Sequence, residues 1–335
     1  MMSTVNRIGR ALRRIVLQAV RGFLKWDLAS VGTVVVVIAA VLASSVPAFF
    51  SEYNLAALGF TLAVTGLVAL AQLSVLAVGQ FNLALTAIGV IVGMVTAWLM
   101  QATGMAYGLA VVIGIAVGSL AGALQGVVIA YTGINPFLIS LATASIYLGG
   151  TMGITRGESF NRLPAEFVAI GRLQAGPIPV LLLACILLCI GTYVLLERTV
   201  VGRQLLATGA SSRVSRMSGI DTNRIVVVAH TLSGALAAVA GVMLVARLGS
   251  AQPSLGSGWL LPSFAAPVLG GTLLSGGKAS IPGALLGAVL LAVIANGLQL
   301  FNVSPFFYQA FLGVILVLAL AMDRARLSYV LRQKA

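Results

Sequence analysis

The chain has 335 residues, of which 60% are hydrophobic and only 8% are charged. Soluble domains carry about 25% charged residues, so this chain has too few charges to cover a water-exposed surface. A net charge of +13 would indicate a nucleic-acid partner in a soluble protein. Here the basic residues flank apolar runs and are not interleaved with aromatic residues, as a base-stacking surface would require. Membrane topology is therefore the better explanation of the charge.

Residues 1–27 form a basic segment that lacks the short apolar stretch and the small-residue cleavage site of a signal peptide. Its apolar and basic residues separate at helical spacing, which predicts an amphipathic helix on the membrane surface. A disordered basic tail is the alternative. The apolar side holds Ile8, Leu12, Ile15, Ala19 and Phe23, and the basic side holds Arg7, Arg10, Arg14, Arg21 and Lys25.

About ten apolar runs follow, most of them long enough to be membrane helices. They lack the alternation of barrel strands, so we expect an all-α polytopic membrane protein with about ten transmembrane helices. The eighth run is short and flanked by glycine, which predicts a re-entrant or broken helix. The runs lie at about 28–47, 56–78, 83–101, 106–130, 137–155, 178–196, 225–246, 261–275, 281–301 and 305–322.

The positions of the basic residues predict the orientation. With a cytoplasmic N-terminus, sixteen of the 20 Lys and Arg residues fall in cytoplasmic segments and four fall outside, which is the asymmetry typical of inner-membrane proteins. Both termini are then cytoplasmic. The chain divides into the basic segment 1–27, a transmembrane domain 28–322 with a polar cytoplasmic segment at 197–224, and a cytoplasmic tail 323–335.

The fourth run carries glycines at 114, 118, 122 and 126. Glycine at every fourth position leaves a smooth groove along one helix face, where another backbone can pack closely. We therefore predict a tight helix–helix contact there, with a partner helix that the pattern does not identify.

The residues that coupled carriers and enzymes use inside a membrane are missing from these runs. All seven carboxylates lie at run ends or in loops, whereas proton- or sodium-coupled carriers place such groups at membrane depth. The single histidine, His230, is interpreted as a packing residue, and Cys185 and Cys189 have no metal spacing. The loop 271–279 resembles a phosphate-binding loop, but its spacing is one residue too long and Ala279 replaces the magnesium-binding hydroxyl. We expect no cofactor, no metal and no catalytic site.

Four stretches resemble the permeases of ribose-type bacterial ABC importers. They are GINPFLISLAT at 133–143, the segment from VGR at 201–203 to RMSGI at 216–220, LGGTLLSGGKASIPG at 269–283, and NGL at 296–298. The resemblance covers about residues 28–325. It implies an inner-membrane permease core of two such subunits, identical or paired with a sister permease. It also implies a separate ATP-binding cassette ATPase and a periplasmic substrate-binding protein as partners.

Two departures from the family pattern concern polar residues. The family's Gly-Gly-Ile-Asp-Leu-Ser is replaced here by GQFNLA at 79–84, and a common Glu before the eighth span is replaced by the region of Leu260, Leu261 and Pro262. The identity of the sugar therefore does not follow from the resemblance.

Two sets of residues are the candidate functional sites. Neutral amides and flexible glycines suit a pathway for a small neutral solute, such as a monosaccharide or polyol. A stand-alone channel or facilitator for such a solute would use them equally well. It would not explain the polar cytoplasmic segment at 197–224. The ATPase-coupling candidates are Arg203, Gly209, Arg213, Ser215, Arg216, Met217 and Gly219, with Val214 and Met217 facing a cleft in the partner. The pathway candidates are Gln72, Asn82, Asn135, Pro136, Gly270, Gly271, Asn296 and Gln299. For Asn135, an ordinary helix cap is the competing interpretation.

Overall fold

The computed structural model describes residues 28–304, 307–314 and 317. The predicted amphipathic helix at 1–27 and the tail at 323–335 lie outside these residues. The helices are α1 (Leu28–Ser45), α2 (Glu52–Leu76), α3 (Leu85–Thr103), α4 (Tyr107–Thr132), α5 (Pro136–Thr155), α6 (Ala165–Arg172), α7 (Val180–Arg198), α8 (Val200–Ala210), α9 (Ser212–Met217), α10 (Thr222–Leu248), α11 (Leu260–Leu269) and α12 (Ile281–Leu300). A 3₁₀ turn at Pro47–Phe50 precedes α2, and residues 307–314 are helical.

The all-α polytopic membrane fold is confirmed. Among the described residues, seven helices are long and apolar enough to cross a membrane, and two shorter apolar helices lie at Val31–Ser45 and Leu260–Leu269. The total of about ten spans stays a prediction. The β-structure in the described part of the chain is one two-residue antiparallel pair, Gln174–Ala175 with Ile178–Pro179, and one isolated bridge.

The glycine face of α4 packs against α10, so the predicted tight contact is confirmed. A Cβ atom at Gly122 would overlap the carbonyl oxygen of His230 and lie 3.1 Å from the Gly234 Cα. A Cβ at Gly126 would lie 2.9 Å from the Val227 Cα. Because backbone meets backbone, α4 and α10 form the most extensive helix pair in the bundle, and only glycine fits at these positions.

The eighth span is broken, as its short glycine-flanked run predicts. The residues that follow α10 lack helical structure until Leu260, where the ten-residue helix α11 begins. Leu255 lies against Gly93 of α3. The Trp259 ring lies against Gly89, one helical turn closer to the N-terminus of α3. At 1.5 Å per residue α11 is about 15 Å long, half of a bilayer core of about 30 Å. The eighth apolar run is therefore an irregular stretch followed by a half-length helix, and its crossing of the membrane stays a prediction.

The loops lie at two opposite ends of the bundle. Successive loops alternate between these ends, as they must when each helix crosses the bundle once. At one end, the backbone N–H of Gly277 donates to the carbonyl oxygen of Ala77 (3.1 Å), beside residues 199–221. At the other end, Phe160 pairs with Ala251, and the Arg162 N–H donates to Gln101 Oε1 (2.9 Å). We call these the 199–221 end and the 156–179 end.

Candidate functional site

A buried cluster of neutral polar side chains holds the break between α2 and α3. Asn82 Nδ2 donates to Ser233 Oγ (3.0 Å), and Gln125 Nε2 donates to Asn82 Oδ1 (3.1 Å). With its amide oriented to match its partners, Gln72 donates to the Asn82 carbonyl oxygen (3.0 Å) and accepts from the Asn82 N–H (3.2 Å). All four side chains are buried. Hydrogen bonds made inside protein substitute for the water that the membrane excludes.

The cluster brings together two of the eight predicted pathway residues, Gln72 and Asn82. Both are enclosed between helices of one subunit, with no exposed surface. Their hydrogen bonds join the segment after Gly79 to α2 and α10, and Gly79 has a φ of +73° in the turn that follows α2. Contact of either side chain with a passing solute stays a prediction.

His230 lies next to this cluster on α10. It is fully buried, and its Nε2–H tautomer donates to Gln80 Oε1 over 3.0 Å. Its backbone forms part of the contact with Gly122. These contacts agree with the packing role expected from the sequence.

An open cavity of about 370 Å³ lies beside the broken eighth span. Its walls come from α2, residues 256–262, α12 and the helical residues near 308. No lining side chain carries a charge. The groups able to bond with a hydroxylated solute are those of Thr61, Thr65, Ser257, Gln299 and Tyr308, and Phe60 and Trp259 add aromatic surface.

Of the eight predicted pathway residues, only Gln299 lines this cavity. The other cavity residues were not identified from the sequence, although the sequence contains a pattern that points to some of them. Gly256, Gly258 and Trp259 stand close together just before α11, and Gly256 adopts φ +71° with the Trp259 ring packed against it. Closely spaced glycines before a short apolar helix are typical of a discontinuous membrane span, where solutes bind.

The remaining pathway candidates lie apart from the cavity. Asn296 exchanges amide hydrogen bonds with Asn54 (2.7 and 3.1 Å) in a buried pair. Asn135 accepts from the Phe137 N–H (2.9 Å) with Pro136 at the first helical position, so it caps α5 as the competing interpretation expected. Gly270 packs against the backbone of α12, and Gly271 has φ +82°.

The predicted coupling segment forms two short helices, α8 and α9, that meet at Ser211. Ser211 caps α9 by accepting from the Val214 N–H (3.4 Å). Val214 is 60% exposed and Met217 is 82% exposed, so α9 presents two apolar side chains to solvent at helical spacing. An ATPase-docking role for these two side chains stays a prediction.

The other coupling candidates divide into an outer and an inner set. Arg203, Arg213 and Arg216 are exposed, as is Gly219, whose φ of +80° follows α9. Ser215 is only 4% exposed and faces the protein. Ser215 therefore packs against the bundle on the buried side of α9. The three arginines, Val214 and Met217 lie on the exposed side of α8 and α9.

The predicted coupling segment packs on the bundle through a contact of four glycines, Gly79, Gly209, Gly276 and Gly277, which we call the glycine junction. A Cβ atom at Gly209 would overlap the Ala77 carbonyl oxygen and lie 2.6 Å from the Gly277 nitrogen. A Cβ at Gly276 would lie 2.7 Å from the Gly79 Cα. The junction therefore joins α8 directly to the end of α2 and to the loop between α11 and α12.

A bundle of apolar spans with a broken helix, an uncharged cavity and an exposed two-helix segment at one end defines a membrane permease subunit. The chain belongs to the family described as branched-chain amino acid transport system / permease component, whose model matches residues 42–320. This confirms the resemblance seen in the sequence. As a permease component, the chain is a non-catalytic transport subunit.

Three curated relatives match most of the chain. The ribose import permease protein RbsC of Bacillus subtilis is 35% identical over 84% of this chain and 87% of its own length. The D-allose transport system permease protein AlsC of Escherichia coli is 30% identical, over 89% and 92%. The L-arabinose transport system permease protein AraH of Escherichia coli is 34% identical, over 89% and 91%. No solved structure gives a significant match.

Proposed function

We propose that this chain forms the translocation pathway for a monosaccharide or a related polyol in an ATP-driven importer of a bacterial inner membrane. The observation that carries the proposal is the uncharged cavity beside the broken span, lined by hydroxyls, one amide and aromatic rings. Its volume of about 370 Å³ falls in the range of small-molecule sites, about 300–1,000 Å³.

The chemistry of the cavity favours a sugar over an amino acid. A zwitterion that leaves water needs charged partners, because an unpaired buried charge is costly. The cavity offers none, whereas Thr61, Ser257 and Gln299 suit the hydroxyls of a neutral sugar. The relatives named for ribose, allose and arabinose support this choice.

The proposed source of energy is a separate ATP-binding cassette ATPase that docks on the coupling segment. Val214 and Met217 would enter an apolar cleft, and Arg213 and Arg216 would pair with acidic residues at its rim. Charged pairs at a rim set encounter rate and partner choice more than affinity. This docking requires the 199–221 end to be cytoplasmic, in agreement with its five basic residues between 197 and 224.

A second permease subunit, identical or a sister chain, is proposed to pack on α5. A Cβ atom added at Gly149, Gly150 or Gly153 would meet no neighbouring atom within 4 Å, and Ala142 and Ser145 are exposed on the same helix. Small residues allow close approach of another helix in lipid. The substrate-binding protein would then deliver the sugar at the 156–179 end.

The cavity is tested by uptake into vesicles that contain the permease, its ATPase and its binding protein. Radiolabelled ribose, allose, arabinose and valine are compared. Gln299→Leu removes one hydrogen bond of about 0.5–1.5 kcal/mol, so sugar uptake should fall about 2- to 12-fold at subsaturating sugar. Gln252→Leu is the matched control, because Gln252 is exposed outside the cavity. Uptake of valine but no sugar would reject the proposed substrate class.

The coupling proposal has its own test. The double variant Arg213→Glu with Arg216→Glu, and the single variant Met217→Glu, should lose the copurifying ATPase while still inserting in the membrane. Arg162→Glu reverses a charge at the opposite end and should keep it. Sugar flux through the purified chain alone, without an ATPase, would favour a stand-alone channel instead.

A further inference from the structure

A polar pocket of about 390 Å³ lies at the 199–221 end, where α8 and α9 meet the ends of α2, α4, α5 and α10. It is close in size to the cavity beside the broken span, but most of its lining residues are polar. Pro136, one of the predicted pathway residues, also lines it. Its uncharged polar groups are the hydroxyls of Thr208, Ser212, Thr222 and Ser275 and the amides of Gln80 and Asn223.

Two of the threonines in the pocket wall have no partner for their hydroxyl groups. Thr208 and Thr222 are each only 5% exposed, and within the described residues neither hydroxyl makes a hydrogen bond. Thr192 of α7 and Thr231 of α10, by contrast, donate to the carbonyl oxygen four residues earlier (2.8 Å each). A buried hydroxyl without a partner is unfavourable, and a hydroxylated ligand in the pocket would supply the missing bonds.

The charges around the pocket favour a neutral ligand over an anion. Among the described residues, Arg216 is the only charged one in the wall. Asp221 stands next to Thr222, and its carboxylate accepts from the N–H groups of Asn223 and Arg224 (3.1 Å each). This negative charge at the start of α10 opposes an anion. Hydroxyls and amides both donate and accept hydrogen bonds, so the wall suits the hydroxyls of a sugar.

The pocket and the cavity beside the broken span lie towards opposite ends of the same two helices. On α10 the pocket includes Val226 and the cavity includes Leu244, which at 1.5 Å per residue are about 27 Å apart. A bilayer core is about 30 Å thick. On α2, Gln72 of the buried polar cluster stands between Thr65 of the cavity and Val78 of the pocket. Packed side chains therefore separate an outer site from an inner one.

We propose that this pocket is a second sugar site, from which the sugar leaves for the cytoplasm. The proposal rests on the proposed function, which supplies the class of solute and the cytoplasmic position of the 199–221 end. Ser212 and Arg216 belong to α9, so a sugar in the pocket would contact the helix that is proposed to dock on the ATPase. Movement of α9 would then change the site that holds the departing sugar.

Protection of a cysteine in the purified full-length chain tests the pocket directly. Cys185 and Cys189 are replaced by alanine, and Ser212→Cys introduces one thiol into the pocket wall. Ribose, allose or arabinose should slow its reaction with a maleimide, and inorganic phosphate should not. Met217→Cys is the matched control, because Met217 also lies on α9, is 82% exposed and does not line the pocket. Sugar should leave the reaction at position 217 unchanged.

Thr208→Val removes one hydroxyl of the wall and keeps the shape of the side chain. The sugar concentration that halves the reaction rate at position 212 should rise about 2- to 12-fold, as expected for one lost hydrogen bond. The Tm should not fall, because the Thr208 hydroxyl has no partner to lose. Thr96→Val is the matched control, since Thr96 Oγ1 is also buried and unpartnered but lies on α3 outside the pocket. Gln299→Leu, in the outer cavity, should also leave the protection unchanged.

The outcomes separate this site from the proposed function. Absence of protection by any sugar, equal protection at positions 212 and 217, or equal loss in Thr208→Val and Thr96→Val would overturn the second site. Protection by phosphate alone would replace it with an anion site. If the complete importer takes up labelled sugar and position 212 is not protected, the exit site is wrong and the proposed function stands. Protection by sugar without any sugar uptake would reject the proposed function and support sugar binding in the pocket.

Discussion

Gly122 is the point at which a single methyl group should distort the bundle most. Its Cβ position overlaps the carbonyl oxygen of His230 and lies 3.1 Å from the Gly234 Cα. Carbon atoms in contact prefer about 3.5–4.0 Å, and a backbone atom cannot rotate away as a side chain can. In Gly122→Ala, α4 and α10 must therefore move apart. Overpacking of this kind costs about 1–3 kcal/mol.

The matched control is Gly191→Ala. Gly191 lies in the interior of α7 with no atom within 4 Å of its Cβ position. Alanine is a better helix former than glycine by about 1 kcal/mol, so Gly191→Ala should be neutral or stabilising. The same gain in helix propensity applies to Gly122→Ala, so the comparison cancels it.

Thermal unfolding in detergent, followed by tryptophan fluorescence, compares the two variants. The Tm of Gly122→Ala should lie several degrees below that of Gly191→Ala, because only Gly122→Ala carries the overpacking cost of about 1–3 kcal/mol, and about 1 kcal/mol shifts the Tm of a large domain by about 2–4 °C. If both variants shift the Tm equally, or if Gly122→Ala is the more stable, then α4 and α10 are not in backbone contact and the packing argument fails.

Two further predictions concern the buried cluster and the orientation. Asn82→Ala removes hydrogen bonds from buried partners, and each group left unsatisfied costs about 1–3 kcal/mol. The Tm of this variant should therefore be lower than that of the wild type. An unchanged Tm would mean that these groups are not paired. In a background with Cys185 and Cys189 replaced by alanine, a cysteine at position 162 should react with a membrane-impermeant maleimide from outside. A cysteine in place of Arg213 should react only after permeabilisation, and the opposite result would invert the topology.

The sequence predicted those features of the fold that depend on local composition. The apolar runs, the break in the eighth span, the asparagine cap at Asn135 and the glycine face of α4 each follow from residues close together in the chain. The partner of the glycine face did not follow, because most of α10 is apolar on every side and its few polar residues, such as His230 and Ser233, form no separate polar face. A helix that is apolar all round has no polar face to indicate which side is buried.

The same limitation explains the outcome for the candidate site. Gln72 and Asn82 are polar residues in apolar runs, and the sequence cannot distinguish a side chain that faces a pathway from one that faces another helix. Burial of Ser215 within an otherwise exposed segment is equally invisible, because it depends on how α9 lies on the bundle. The cavity was missed since its walls come from segments far apart in the chain, and only Gln299 among them has an amide.

The glycine junction also sets the order in which the protein matures. Gly209 is held between Ala77, which is synthesised well before it, and Gly277, which is synthesised well after it. Contacts between distant parts of a chain slow folding because closing the loop between them costs entropy, and this one must wait until Gly277 has been synthesised. Until then α8 and α9 lack the backbone contacts that fix them. A nascent or truncated chain that ends before Gly277 would thus lack the backbone contact that positions α8 and α9.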